Sequence, residues 1–317
     1  MDYVIINQVI KEIISLINYY NRDGKFSLDV CEKLVVVLLG YYLTFGADIF
    51  KKINEIMEQL QIHIFNSSNE YKDCYSKYVG EDYCLGMTEC NPVTFWDYKY
   101  DNKGMFRGAI PHIFMISIDD VNDALTISHE LSHSIDGLAA SVIEENEEFF
   151  IYRISFTQVK VIKKNNISRI LDRGFAELIT VNIENRILDS WLKLDVSQIE
   201  SSIVKDFLVK LKSYRGKNVI ARSYCLMSSL FKDLFDNDDF FSLIKKFYYD
   251  NDEDNFELGF NSLADGLSFD KIKRCANHLM DCDINDVIYY GKVLNEQLKI
   301  LNGKNKEEGI KKLLFIV

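Results

Sequence analysis

The N-terminal part of the chain repeats apolar residues with the spacing of an α-helix. Apolar side chains recur three and four positions apart over residues 1–20 and again over residues 49–60. Residues 1–66 are therefore predicted to form two or three helices. The uncharged run Leu34–Ala47 is shorter than the roughly 18–20 residues that a membrane-spanning helix needs. We interpret it as a helix buried in the protein core, with a membrane segment as the alternative.

The pattern changes in the middle of the chain. Residues 67–107 are rich in tyrosine, aspartate, asparagine and glycine, which predicts loops with short strands. Two segments with strand-favouring residues, Pro92–Tyr100 and Ala109–Ile118, flank a predicted turn at residues 101–104. Pro111 cannot donate a hydrogen bond to a neighbouring strand. The second segment is therefore predicted to lie at the edge of a sheet.

Helical spacing returns after the second strand. Asp119 or Asp120 can cap a helix whose mainly apolar face runs to Ile135, and Gly137 fits just beyond its end. A later helix is predicted over residues 172–188. The chain has only two prolines, and most of the remainder towards the C-terminus is also predicted to be helical. The predicted fold class is mainly α with a small β-sheet (α+β).

A chain of 317 residues can form one large domain or two ordinary ones. We predict an N-terminal helical lobe over residues 1–85, a core over residues 86–190 and a C-terminal helical lobe over residues 191–317. The net charge of −11 argues against a nucleic-acid partner and against binding to an anionic membrane. The first residues do not have the pattern of an export signal, so a cytoplasmic location is expected. Export by a route without an N-terminal signal is the alternative.

The segment TISHELSHSIDG, residues 126–137, lies in the helix predicted after the second strand and contains two of the five histidines. Because residues four positions apart lie on one face of a helix, His129 and His133 can both bind one metal ion. Glu130 is rotated by about 100° from His129, so its carboxylate can reach a water molecule rather than the ion. With this composition, a His-acid-x-x-His pattern is expected by chance only about 0.01 times. The segment therefore predicts a zinc site.

A catalytic zinc ion usually has three protein ligands. A histidine six residues after His133 would supply the third, but that position is Ala139. We predict Glu177, because it lies in the first turns of the later helix beside an apolar stripe, where an unpartnered carboxylate would be costly. Glu184, two turns further on nearly the same side, is the alternative ligand or a residue that orients a ligand. The acidic run Glu144–Glu148 is interpreted as exposed to solvent.

The combination of H-E-x-x-H with a later helix that opens with G-x-x-E resembles the gluzincin class of zinc metallopeptidases. GFAELIT, residues 174–180, is similar to the phrase E-G-x-T-E-x-x-T that carries the glutamate ligand in many bacterial gluzincins. Arg173 and Ala176 depart from that phrase at positions that do not bind the metal. The position of Asp136, three residues after the second histidine, is similar to that of an aspartate in lethal-factor-like and related clostridial-type peptidases. The resemblance covers roughly residues 108–188 and implies a zincin-like core flanked by the helical lobes.

The resemblance also implies what surrounds the metal. It implies an edge strand, here Gly108–Ile118, that pairs with an extended protein or peptide substrate. It implies an electrophilic side chain for the tetrahedral intermediate, for which we predict Tyr224. His112 is the alternative if it faces the cleft, although a structural histidine paired within the strand is the favoured interpretation. The histidine ligands also need partners for their other ring nitrogens, and Asp136 and Thr180 are the candidates for this role.

These features together predict a zinc-dependent endopeptidase. In this hypothesis Zn²⁺ is held by His129, His133 and Glu177, and Glu130 is the general base that activates water. The alternative is a catalytically inactive, zincin-like protein with a regulatory or binding role. Such a protein would tolerate the loss of Glu130, so the complete motif favours the enzyme.

Overall fold

The computed structural model describes ten segments of the chain, which are residues 1–79, 92–100, 106–136, 141–145, 148–153, 158–162, 167–171, 173–213, 237–250 and 253–263. Contacts divide the chain into two compact units. They are Met1–Leu138 with Ile183–Lys217, and Ala139–Asn182 with Asn218–Val317. The functional division into residues 1–85, 86–190 and 191–317 stays a prediction.

Helices dominate the described secondary structure. The described α-helices are α1 (Tyr3–Tyr20), α2 (Leu28–Phe45), α3 (Ile49–Met57), α4 (Ser68–Val79), α5 (Asp120–Asp136), α6 (Arg173–Leu192), α7 (Ser202–Ser213), α8 (Asp238–Asp250) and α9 (Glu253–Leu263). A short 3-10 helix, Val196–Gln198, lies between α6 and α7. The predicted fold class, mainly α with a small β-sheet, is confirmed.

The described strands form one three-stranded sheet and two two-stranded sheets. The described strands are β1 (Gln61–Phe65), β2 (Val93–Tyr100), β3 (Phe106–Ile116), β4 (Ser141–Glu145), β5 (Glu148–Arg153), β6 (Gln158–Ile162) and β7 (Ile167–Leu171). The first three form one sheet in the order β1-β3-β2, with β1 parallel and β2 antiparallel to β3. The other four form two antiparallel pairs, β4 with β5 and β6 with β7.

Strand β3 lies in the centre of its sheet, so the prediction of an edge strand at residues 108–118 is wrong. It pairs with β2 along Phe106–Phe114, but with β1 only along His112–Ile116. Pro111 comes just before the part that pairs with β1, where β3 has only one neighbour. The proline therefore coincides with the end of the parallel ladder and does not place the strand at an edge.

The two faces of this sheet are covered by different helices. Alternate residues of a strand point to opposite faces. On one face, Phe114 of β3 packs against Tyr71 and Tyr75 of α4 in a core cluster. On the other face, Thr94 of β2 contacts Glu130 of α5. The sheet is thus a layer between α4 and α5, and only the second face adjoins the histidine motif.

Helix α2 is the buried core helix that the sequence predicts. Ser27 caps its start by accepting a hydrogen bond from the Val30 backbone N–H at 3.2 Å. Leu34, Val37 and Leu38 are fully buried. The helix ends at Gly46, whose φ of +91° favours glycine. In the part of the chain that the structure describes, no helix has the length and apolar character needed to cross a membrane.

Helix α2 also supports the two helices that carry the candidate site. The Tyr41 hydroxyl donates a hydrogen bond to the Ser128 carbonyl of α5 at 2.7 Å. The Trp191 indole of α6 donates to the Val36 carbonyl at 3.0 Å. A Cβ atom at position 40 would lie 2.8 Å from the Trp191 indole nitrogen, so Gly40 allows this close approach. One buried helix therefore fixes both α5 and the C-terminal part of α6.

Two elements of the first unit differ from the prediction. Strand β1 lies within residues 1–66, which were predicted to hold only helices, because a run of five residues is too short to establish a helical or strand period. Helix α4 lies within residues 67–107, which were predicted as loops and strands. Its polar composition hides the helical spacing of the buried pair Tyr71 and Tyr75.

The strands β4 to β7 lie within residues 141–171, so the prediction that most segments after residue 137 are helical is wrong for these four. The segments EFFIYR and QVKVI are rich in aromatic and β-branched residues, which favour strands. Four short strands joined by short connections fit this spacing better than one helix.

Candidate metal centre

The start of helix α5 is fixed to the end of strand β3 by two aspartates. Of the two predicted cap residues, Asp119 is the one that caps the helix: its Oδ1 accepts hydrogen bonds from the backbone N–H groups of Val121 at 3.0 Å and Asn122 at 2.9 Å. Asp123 accepts hydrogen bonds from the Ser117 hydroxyl at 2.7 Å and from the Ile118 backbone N–H at 2.9 Å. Because these contacts define where the helix begins, they also define the rotation of the histidine motif about the helix axis.

His129 and His133 lie side by side on one face of α5, as their spacing predicts. Their ring centroids are 5.1 Å apart and their planes are inclined by 72°. His129 is buried, and His133 is partly exposed. The two rings can therefore aim one nitrogen each at a common point while one side of the pair stays accessible.

Glu177 completes a three-residue group with these histidines. One potential ligand atom from each of His129, His133 and Glu177 lies within 4.8 Å of the other two. Glu177 is 5% exposed. In the described part of the chain this is the only group of three or more such residues at that spacing. These three buried or half-buried side chains form a group that could bind a metal ion.

Glu184 occupies a different position from Glu177 on the same helix. Its Oε2 lies 3.1 Å from Nδ1 of His129. When this carboxylate is ionised it can only accept a hydrogen bond, so Nδ1 is the donor, and in a neutral imidazole Nε2 then keeps its lone pair. Glu184 therefore orients His129 and fixes the tautomer that a metal requires. Of the two roles that the sequence left open, this contact supports the orienting role.

The carboxylate of Glu130 is held by a residue from the sheet. The Thr94 hydroxyl lies 2.7 Å from Glu130 Oε2 and 3.0 Å from the Glu130 carbonyl oxygen. The Ser134 hydroxyl also donates to that carbonyl, at 3.0 Å. Glu130 is 5% exposed. Thr94 is not predictable from the sequence, because the 36 residues that separate it from Glu130 leave no local signal for the contact.

The other predicted site residues have different outcomes. His112 lies on the α4 face of the sheet, because it is paired with Phe95, whereas Thr94 faces α5. The alternative in which His112 is the electrophile beside the motif is therefore wrong, and His112 is a strand-paired structural histidine. The Thr180 hydroxyl is fully buried and has no hydrogen-bond partner among the residues described, so it does not orient a histidine. Tyr224 and the side chain of Asp136 lie outside what the structure describes.

His112 belongs instead to a histidine pair within an aromatic layer. Its Nδ1 lies 3.1 Å from Nε2 of His63, and the two rings are nearly parallel, at 3°. Burial, and to a smaller extent the neighbouring His112, together lower the pKa of His63 to about 4. The pKa of His112 is also lowered, chiefly by burial. Both rings are therefore neutral near pH 7.

The donor set and its surroundings fit a divalent transition metal. Two imidazole nitrogens and one carboxylate oxygen form a ligand set that zinc commonly takes in catalytic sites. Glu130 and Glu184 are 5% and 6% exposed. Their described partners are a hydroxyl and an imidazole, and no described lysine or arginine forms an ion pair with either. A bound cation would offset the cost of burying these carboxylates.

Comparisons of the chain with protein-family models, with curated proteins and with solved structures found no match.

Proposed function

We propose that the chain is a zinc-dependent endopeptidase with a gluzincin-type ligand set and a zincin-like core. The observation that carries the proposal is the convergence of His129, His133 and Glu177, with Glu130 buried next to the first of them. Zinc is the metal of choice because the set combines imidazole with carboxylate and leaves a further position open. A zinc ion held there supplies a Lewis acid that polarises a peptide carbonyl and makes water more acidic.

Glu130 is the proposed general base and acid. A carboxylate next to the metal ligands can accept a proton from the attacking water and later deliver it to the leaving amine. His129, held by Glu184, and His133 keep the ion in place, with Glu177 as the third ligand. Tyr224 remains the proposed electrophile for the tetrahedral intermediate.

The proposed substrate is an extended segment of a protein or peptide. Strand β2 is bonded to β3 on one side, and no described strand pairs with its other side. It also carries Thr94, which contacts Glu130. A substrate strand that added to β2 would lie next to the proposed base, so β2 replaces residues 108–118 as the proposed pairing strand.

Zinc content and peptide cleavage test this proposal together. Purified protein should contain about one zinc ion per chain by mass spectrometry, and it should cleave members of a peptide library. Glu130→Gln should keep the zinc and lower kcat by about 100- to 10,000-fold, because the amide cannot accept the proton. Glu55→Gln removes a carboxylate at an exposed position of α3 and is the matched control.

The two measurements separate the alternatives. A protein without bound zinc would contradict the metal centre. Bound zinc without cleavage of any library peptide would support an inactive, zincin-like binding protein. Cleavage by Glu130→Gln at the wild-type rate would contradict only the role of Glu130 as the general base, and not the metal centre.

A further inference from the structure

The geometry points to Thr94 as the residue that positions the carboxylate of Glu130 for the proposed reaction. This inference rests on the proposed function for its chemistry, but the contact itself is a property of the fold. Thr94 is the second residue of β2, and no pattern in the sequence connects it with the histidine motif. It touches neither the predicted ligands nor a reacting atom, so it is a positioning residue.

The Thr94 hydroxyl lies within hydrogen-bond distance of both the main chain and the side chain of Glu130. Its oxygen lies 2.7 Å from Oε2 and 3.0 Å from the carbonyl oxygen of the same glutamate. A hydroxyl has one hydrogen, and donation to an ionised carboxylate is the stronger of the two hydrogen bonds. The Glu130 carbonyl has another donor in the Ser134 hydroxyl, so the Thr94 hydrogen is available to the carboxylate. This contact selects one rotamer for a side chain that would otherwise have several.

Thr94 is itself held firmly. In β2 it is paired with Ile113 of the central strand, and Ile113 is fully buried. A β-branched side chain in a strand has restricted rotation about χ1, so the hydroxyl direction follows from the backbone. The position of the Glu130 carboxylate is therefore fixed by the sheet as well as by its own helix.

The contact engages only one carboxylate oxygen. Among the described residues, Oε1 of Glu130 has no hydrogen-bond partner, whereas Oε2 is bonded to Thr94. A general base needs one oxygen to accept a proton and a fixed direction in which to accept it. Thr94 supplies the fixed direction by binding the other oxygen. Because misplacement of a catalytic group by about 1 Å can lower a rate by about 100-fold, the loss of this contact should affect the chemical step.

The test uses three threonine variants of the full chain loaded with zinc. Thr94→Val keeps the shape of the side chain and removes the hydroxyl, while Thr94→Ser keeps the hydroxyl. Thr44→Val is the matched control, because the Thr44 hydroxyl is buried without a hydrogen-bond partner among the described residues. Thr94→Val should lower kcat by about 10- to 100-fold while KM and zinc content stay within about twofold of wild type. Thr94→Ser should recover most of the lost kcat, and Thr44→Val should match wild type.

Crystal structures of wild type and Thr94→Val provide a readout that does not depend on activity. We expect the wild-type Glu130 carboxylate within hydrogen-bond distance of Thr94, and a changed or divided Glu130 rotamer in the valine variant. An unmoved Glu130 in the variant, or a kcat within twofold of wild type, would overturn the inference. Loss of zinc or of folded protein in Thr94→Val with no recovery in Thr94→Ser would also overturn it, since the role would then be structural. If wild type binds zinc but cleaves nothing, the proposed function fails, and the rotamer comparison still decides whether Thr94 positions Glu130.

Discussion

Two pairs of histidines in this protein have similar ring separations and different surroundings. His129 and His133 lie with ring centroids 5.1 Å apart on helix α5, and His63 and His112 lie 5.4 Å apart on strands β1 and β3. The first pair adjoins three buried carboxylates, those of Glu130, Glu177 and Glu184. The second pair is surrounded by aromatic rings: the centroids of Phe114 and Tyr78 lie 4.5 Å and 6.2 Å from that of His63.

The orientation of the rings explains why only the first pair is a candidate metal site. The parallel rings of His63 and His112 point a nitrogen of each at the other, at 3.1 Å, so one lone pair is already used by a hydrogen bond. The inclined rings of His129 and His133 do not face each other in this way, and Nδ1 of His129 donates a hydrogen bond to Glu184. Proximity of two imidazoles is thus insufficient: carboxylates must fix the tautomer and complete the ligand set.

The largest expected difference between the pairs is in zinc binding. Phenylalanine at position 133 removes a ligand, so His133→Phe should lower zinc content from about one ion per chain to below about 0.1. The same change in the aromatic layer, His63→Phe, should leave zinc content unchanged, because that ring can be replaced by another ring. Mass spectrometry after dialysis measures both. Equal zinc loss in the two variants would show that the pairs do not differ in the way their surroundings indicate.

The sequence revealed the first pair because its geometry is local. A spacing of four residues and an apolar stripe place two imidazoles on one helix face without knowledge of the fold. Glu177, far along the chain, could be selected because a carboxylate beside an apolar stripe needs a partner. The parallel pairing of β1 with β3 could not be read in the same way, since it joins distant residues such as Gln61 and His112 through a short strand. The central position of β3 depends on that pairing, and the place of His112 and the Thr94 contact depend on the pairing of β3 with β2.

A smaller effect is expected from the residue that orients His129. Glu184→Ala removes the group that accepts the hydrogen bond from His129 Nδ1. It should weaken zinc affinity by about 10- to 100-fold without abolishing binding. Asp189→Ala removes an exposed carboxylate from the same helix and is the matched control. Competition with a chelator measures the affinity. An unchanged affinity in Glu184→Ala would mean that packing alone orients the His129 ring.

The smallest expected effect concerns the aromatic pair and the pH dependence of stability. The pKa of His63 is lowered from 6.5 to about 4 in the folded protein, chiefly by burial. Between these values the unfolded chain binds a proton that the folded chain does not, so stability falls as the pH drops through this window. After allowance for solvent around this half-buried ring, the loss should be about 1 kcal/mol.

Urea unfolding of the metal-free protein at several pH values between 7 and 4 tests this expectation. Removal of zinc with a chelator is essential, because acid also weakens metal binding by protonating the ligand histidines. His63→Phe has no titratable ring at this position, so its free energy of unfolding should fall less over the same window than that of wild type. The difference between the two curves should stop changing below about pH 4, where the wild-type ring becomes protonated in the folded state as well. Curves that stay parallel between pH 7 and 4 would mean that groups other than His63 cause the pH dependence. A steeper fall in His63→Phe would indicate that the histidine pair stabilises the folded protein at low pH.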